Sequence, residues 1–163
     1  MNSRVSGKYF EELNAGNVYK HAITRTVTET DNLLFSALTH NTQPLHLDEE
    51  FCKQSIYGTR IVNSCFTLGL ITGVSVNDLT LGTTLGNLGY EEISFTKPVL
   101  IGDTLYAETE IIEKRESKSR PNAGIVKFEH RGFNQRGEMV CKIVRTGLMS
   151  KRPPNVSSNA AGN

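Results

Sequence analysis

The feature that most limits the fold of this chain is a change of period. In "IVNSCFTLGLITGVSVND" the residues Cys65, Phe66, Leu68, Leu70, Ile71, Val74 and Val76 fall on nearly every side of a helix. A helix that is apolar all round has to be buried. Gly69 and Gly73 stand one turn apart and leave one flank bare, where a sheet or a second helix can approach closely. Beyond this segment the pattern alternates. Leu85, Leu88, Tyr90, Ile93 and Phe95 form one run, Leu105, Ala107, Thr109 and Ile111 another, and residues 124–133 and 138–149 flank "NQRG", a turn signal. A buried helix followed by long antiparallel strands is a segregated, α+β order. It predicts a curved antiparallel sheet wrapped around a long central helix.

Ahead of that helix, residues 18–27 are enriched in β-branched residues and read as a strand. "TETDNLLFSALTH" reads as a helix capped by Thr28 or Thr30, with Glu29 and Asp31 near its positive end and Leu33, Leu34, Ala37 and Leu38 at helical spacing. It should stop before Pro44. "DEEFCKQSIYG" reads as a short helix capped by Asp48 and ending by Gly58, with Glu49 and Glu50 in its first turn. The 163 residues suggest one domain. Residues 1–16 are expected to wrap the surface, residues 17–149 to form the domain, and residues 150–163, rich in Pro, Ser, Asn and Gly, to be disordered.

Composition excludes several function classes. The net charge of +1 gives no field for nucleic acid or anionic lipid. Three cysteines with no CxxC pair indicate neither a zinc site nor a disulfide framework, and a reducing, cytoplasmic setting is expected. "MNSRVSGKYFEEL" lacks the apolar region of a secretory signal. The apolar run at 61–76 is short for a membrane span and is broken by Asn63, Ser64, Thr67 and Thr72. With no metal-ligand cluster and no Gly-rich phosphate loop, no metal and no separate cofactor are expected.

The chemistry concentrates in "LTHNTQPLHLDEEF". His46 is the candidate acid/base, because imidazole titrates near neutrality, and Pro44 stiffens the loop that presents it. The plainer alternative is a surface histidine beside an acidic helix. His40 reads as a helix-terminal residue meeting the last carbonyls. Asn41 reads as a site residue or a turn residue. Cys65 reads as core packing.

The order of elements, together with "NTQPLH" (41–46), "LDEEFCKQSIYGTRIVNS", "GDTL" (102–105) and "NQRGE" (134–138), resembles the MaoC-like (R)-specific enoyl-CoA hydratases and dehydratases, which have the hotdog fold. The resemblance covers nearly all of residues 15–149. The chain departs from the family motif at three points. Asn41 stands where the family has its catalytic Asp, Gln43 where it has Asn, and Asn63-Ser64 where it has His-Gly. This combination is similar to the mesaconyl-CoA hydratase (methylmalyl-CoA dehydratase) branch.

The resemblance implies an acyl-CoA thioester as partner, with coenzyme A arriving as part of the substrate, and a homodimer or higher hotdog oligomer. It implies reversible hydration of a short, branched, dicarboxylic enoyl-CoA. His46 would be acid/base, Asn41 would hold water or a substrate oxygen, and the Ser64 N–H and the Asn63 amide would stabilise the thioester oxyanion. An Asp at 41 would repel a substrate carboxylate by about 4 kcal/mol at 4 Å under an effective dielectric near 20; Asn removes that repulsion. Arg60, where much of the family has proline, would clamp such a carboxylate, with Gln43 beside the substrate. Lys118 and Arg120 would meet the coenzyme phosphates or be a solvated loop. A hotdog thioesterase and a non-catalytic acyl-CoA-binding homologue are the alternatives.

Overall fold

The architecture follows from the period change. The computed structural model describes residues 6–154. Four long strands, β3 (Thr84–Phe95), β4 (Thr104–Glu116), β5 (Ala123–Phe133) and β6 (Met139–Ser150), join β1 (Val18–Lys20) in one antiparallel sheet of order β1-β4-β5-β6-β3, and β2 (Arg25–Thr26) pairs with β4. The helices α1 (Glu29–Leu38), α2 (Pro44–Leu47), α3 (Glu49–Lys53) and α4 (Ser64–Val74) precede β3. The α+β reading and the central helix under a sheet hold. The hairpin at "NQRG" is β5–β6, its turn closed by Asn134, whose side-chain oxygen accepts from the N–H of Arg136 and Glu138.

Three expectations change. The strand expected over 18–27 is two short pieces. The central helix begins only at Ser64, because Ile61 is bridged to Leu100 and the Val62 N–H donates to the Val99 carbonyl at 2.8 Å, which keeps these two residues extended. Nor is that helix buried all round: Ile71 and Val74 face the sheet, whereas Cys65, Gly69 and Gly73 are exposed. Gly132 lets α4 approach, since a Cβ there would lie 2.6 Å from the Ile71 side chain.

The terminal segments are drawn in. Phe10 and Leu13 are core residues. Residues 155–163 of the expected disordered tail, and residues 1–5, lie outside the described residues. Lys151 donates to the Pro121 carbonyl at 3.0 Å, and Arg152 pairs with Glu12 at 3.0 Å.

The inner face of the sheet carries two apolar clusters with a polar stripe between them. One cluster surrounds Ile71, Val99 and Ile143; the other surrounds Phe10, Leu79 and Phe128. Across the strands run Asp78, His21, Thr109, His130 and Arg145, joined by contacts of 2.8, 2.7, 2.7 and 2.8 Å. Arg145 fixes every proton in this chain, because guanidinium only donates. Its Nε–H goes to His130 Nε2, so His130 carries its hydrogen on Nδ1 and donates to Thr109 Oγ1. The Thr109 hydroxyl then donates to His21 Nε2, and His21 Nδ1–H donates to Asp78. Two buried imidazoles thereby carry a one-way relay from a buried cation to an exposed carboxylate. Arg145 is further held over the Phe128 ring, 4.7 Å from its centroid.

This relay makes stability pH-dependent. Burial first, and the Arg145 charge second, hold His130 well below the ordinary histidine range. The unfolded chain protonates this residue below about pH 6.5 while the folded chain resists, so stability is full above that pH and is lost as pH falls. Urea denaturation should show stability decreasing between pH 7 and 5, with His130 contributing up to about 1.4 kcal/mol per pH unit. His130→Gln, which keeps a donor and an acceptor, should be less stable but flatter in pH. An equal slope in both proteins would overturn this assignment.

Candidate functional site

Helix α1 starts where Thr28 and Asp31 cap one another. The Asp31 N–H donates to Thr28 Oγ1 at 3.2 Å, and the Thr28 N–H donates to Asp31 Oδ2 at 2.9 Å. That backbone hydrogen bond first, then Arg25 at 2.7 Å, pull the Asp31 pKa down to about 2. The helix ends at His40, whose φ of +54° puts it in the left-handed region that stops helices. Asn41 then turns the chain, its Oδ1 accepting the Gln43 N–H at 3.1 Å. Pro44 opens α2 with its φ preset, and His46 lies on that single turn. Asp48 closes α2 through its N–H and caps α3 through Oδ1, which accepts the Phe51 N–H at 3.0 Å.

One buried amide joins these pieces. Asn32, fully buried on α1, donates through Nδ2 to the His46 carbonyl at 2.9 Å. Its Oδ1 accepts the Asn63 N–H at 2.8 Å. Asn63 caps α4, Oδ1 accepting the Cys65 N–H at 3.0 Å, and its Nδ2 donates to Ser36 Oγ at 3.3 Å. The His46 ring is held from the same segment: Nδ1 meets the Ile61 carbonyl at 2.9 Å. A carbonyl only accepts, so Nδ1 carries the hydrogen and a neutral His46 keeps its lone pair on Nε2. That is the form a general base requires.

Beside Ile61 opens a cavity of about 380 Å³, walled by Tyr57, Ile61, Ser64, Thr67, Phe95 and Lys97 among others. The Ser64 N–H, at the first position of α4, has no acceptor among the described residues. It adds the positive end of a helix to the cavity. Ile61 links the two: its carbonyl holds the His46 ring, and it walls the cavity that Ser64 lines.

The expected site residues divide. His46 and Asn63 are joined through the Asn32 amide, with Ser64 next to Asn63, while Asn41 is placed by its own N–H, which donates to the Ser36 carbonyl at 2.9 Å. The Asn63 side chain is buried, its Oδ1 capping α4 and one Nδ2 hydrogen directed at Ser36 Oγ at 3.3 Å. Gln43 is exposed, and its N–H is taken by Asn41. Arg60 is not a free clamp: its guanidinium is pinned by Glu29 and Glu49, each at 2.9 Å, and is 17% exposed. Cys65 is exposed rather than packed in the core. Lys118 and Arg120 lie in the loop beyond the far end of β4, whose 13 residues span roughly 40 Å from the site end. Sequence reasoning missed Asn32 and Ser36. The signal for Asn32 was an Asn, a poor helix former, inside an apolar-periodic helix.

Comparison with known proteins follows the same outline. Residues 11–132 match the family model described as MaoC like domain. A mesaconyl-CoA hydratase of Cereibacter sphaeroides is 35% identical over 90% of this chain and 42% of its own length. The crystal structure of a putative MaoC domain protein dehydratase from Chloroflexus aurantiacus is 28% identical, with a TM-score of 0.86 over 99% of this chain and 46% of that one. A Mycobacterium tuberculosis protein described as having a double hotdog fold superposes with a TM-score of 0.82 at 21% identity, over 98% of this chain and 52% of its own. The chain therefore spans about half the length of these relatives.

Removing the Asn32 amide should loosen all three segments at once. Asn32→Ala leaves the His46 carbonyl and the Asn63 N–H buried and unpaired, at about 1–3 kcal/mol for each group. Urea denaturation should register a loss in that range or larger; a loss under about 0.5 kcal/mol, the scale of an ordinary surface substitution, would contradict the hub.

Proposed function

Because the chain belongs to the MaoC-like domain family, we propose that it is a hydro-lyase that reversibly hydrates a short-chain α,β-unsaturated acyl-CoA thioester, with a branched dicarboxylic, mesaconyl-CoA-like acyl group as substrate. The observation that carries this reading is the His46 tautomer, fixed by the carbonyl of Ile61, a residue that also walls the cavity lined by Ser64.

In the hydration direction, His46 Nε2 takes a proton from water as the water oxygen bonds to the β-carbon. The double-bond electrons move toward the thioester carbonyl, and the Ser64 N–H donates to the oxygen that gains charge. The His46 imidazolium then returns the proton to the α-carbon. Water is consumed and no other species is needed. Asn41 cannot exchange a proton near neutrality, but its side-chain N–H₂, which has no acceptor among the described residues, can hold the water or a substrate oxygen.

The working unit we propose is a pair of hotdog units. β3 is an edge strand carrying exposed Leu85, Leu88, Tyr90, Ile93 and Phe95, and α4 exposes Gly69 and Gly73. An apolar edge of that length invites pairing. The half-length match to relatives, one of them a double hotdog, supports a second copy as the occupant.

Crotonyl-CoA and mesaconyl-CoA distinguish the outcomes. Hydration removes enoyl absorbance without thiol release. Thiol release would indicate a thioesterase, and neither signal a binding protein. His46→Gln should lower the hydration rate by about 10²–10⁴-fold with the fold retained. An unaltered rate would remove His46 from the mechanism.

A further inference from the structure

We infer that Lys97 reads the far end of the acyl group, as the cation that receives a substrate carboxylate beside the Ser64 N–H; this rests on the hydration reading of the same site. The backbone places it there. Ile61 bridges Leu100 in antiparallel register, and the Val62 N–H donates to the Val99 carbonyl at 2.8 Å. Just beyond these contacts the two segments carry Ser64 and Lys97, and both line the same cavity. Pro98 follows Lys97 and fixes its own φ, which limits the freedom of the segment that presents the side chain.

Charge accounting singles out the same residue. Arg60 is already forked between Glu29 and Glu49. Lys97 is exposed and forms no ion pair among the described residues. The carboxylate whose titration its field influences, Glu138, is already bound by Asn134 at 2.8 Å and Arg136 at 2.9 Å. The rest of the cavity wall is neutral, with Tyr57, Ile61 and Phe95 apolar and Ser64 and Thr67 polar. A carboxylate entering this cavity meets one cation, Lys97, and no carboxylate on the wall. The substrate class is thus an enoyl thioester bearing a carboxylate at the end remote from sulfur.

Two saturated thioesters of equal chain length, succinyl-CoA and butyryl-CoA, separate recognition from chemistry, since neither can be hydrated. Calorimetric titration of the purified protein should show succinyl-CoA bound about tenfold tighter. Lys97→Gln should abolish that preference, Lys97→Arg should restore it, and Arg60→Ala should retain it. If Lys97→Gln weakens both ligands equally, the lysine meets the coenzyme phosphates and the inference is overturned. It is equally overturned if the wild-type protein shows no preference, even where crotonyl-CoA is hydrated. If the preference depends on Lys97 but no enoyl-CoA is hydrated, the carboxylate assignment stands and the hydration reading fails.

Discussion

The amide of Asn32 is the interaction on which the site depends. Three segments distant in sequence, the α2 turn with His46, the strand-like stretch at Ile61 and Val62, and the start of α4, meet at one side chain. A primary amide offers an acceptor and donors in a rigid plane, and here both ends are used on backbone groups that have no other partner among the described residues. An aliphatic residue would satisfy neither group. With Asn32 in place, the Ile61 carbonyl is held where it fixes the His46 ring, and Asn63 is held where it caps α4. Catalytic geometry and helix termination share one support.

The sheet supplies a second, independent device. A buried Arg145 with no carboxylate within bonding reach among the described residues would ordinarily be costly. Here its charge is balanced through two imidazoles and a hydroxyl by Asp78, and through the face of Phe128. The relay crosses β4, β5 and β6 and reaches Asp78, so it ties three strands to the segment after α4. Apolar packing on either side of the stripe keeps it dry, which is why its protons are ordered by a single permanent donor.

Much of this was legible in the sequence because it is local. The buried helix, the β5–β6 hairpin and the Thr28 and Asp48 caps depend on residues within a few positions of each other, and period and cap chemistry reveal them. The resemblance carried in "NTQPLH" located His46 and Asn41. What was not legible depends on contacts across tens of residues. The late start of α4 comes from pairing with Val99 and Leu100. Arg60 resembles a free cation until α1 and α3 place Glu29 and Glu49 around it. The tie from the Asn63 side chain to Ser36 joins residues 27 positions apart. Lys118 and Arg120 form a basic cluster in sequence but sit at the opposite end of the longest strand. Cys65 and the two helix glycines, apolar or small and so expected inside, are exposed.

The tautomer of His46 is the central claim, because general-base chemistry at this site requires a bare Nε2. ¹⁵N NMR of the histidine-labelled protein at pH 7, with His46 assigned by substitution, reads it directly. The account expects a protonated Nδ1 and an unprotonated Nε2. A proton on Nε2, or an imidazolium at that pH, would contradict it.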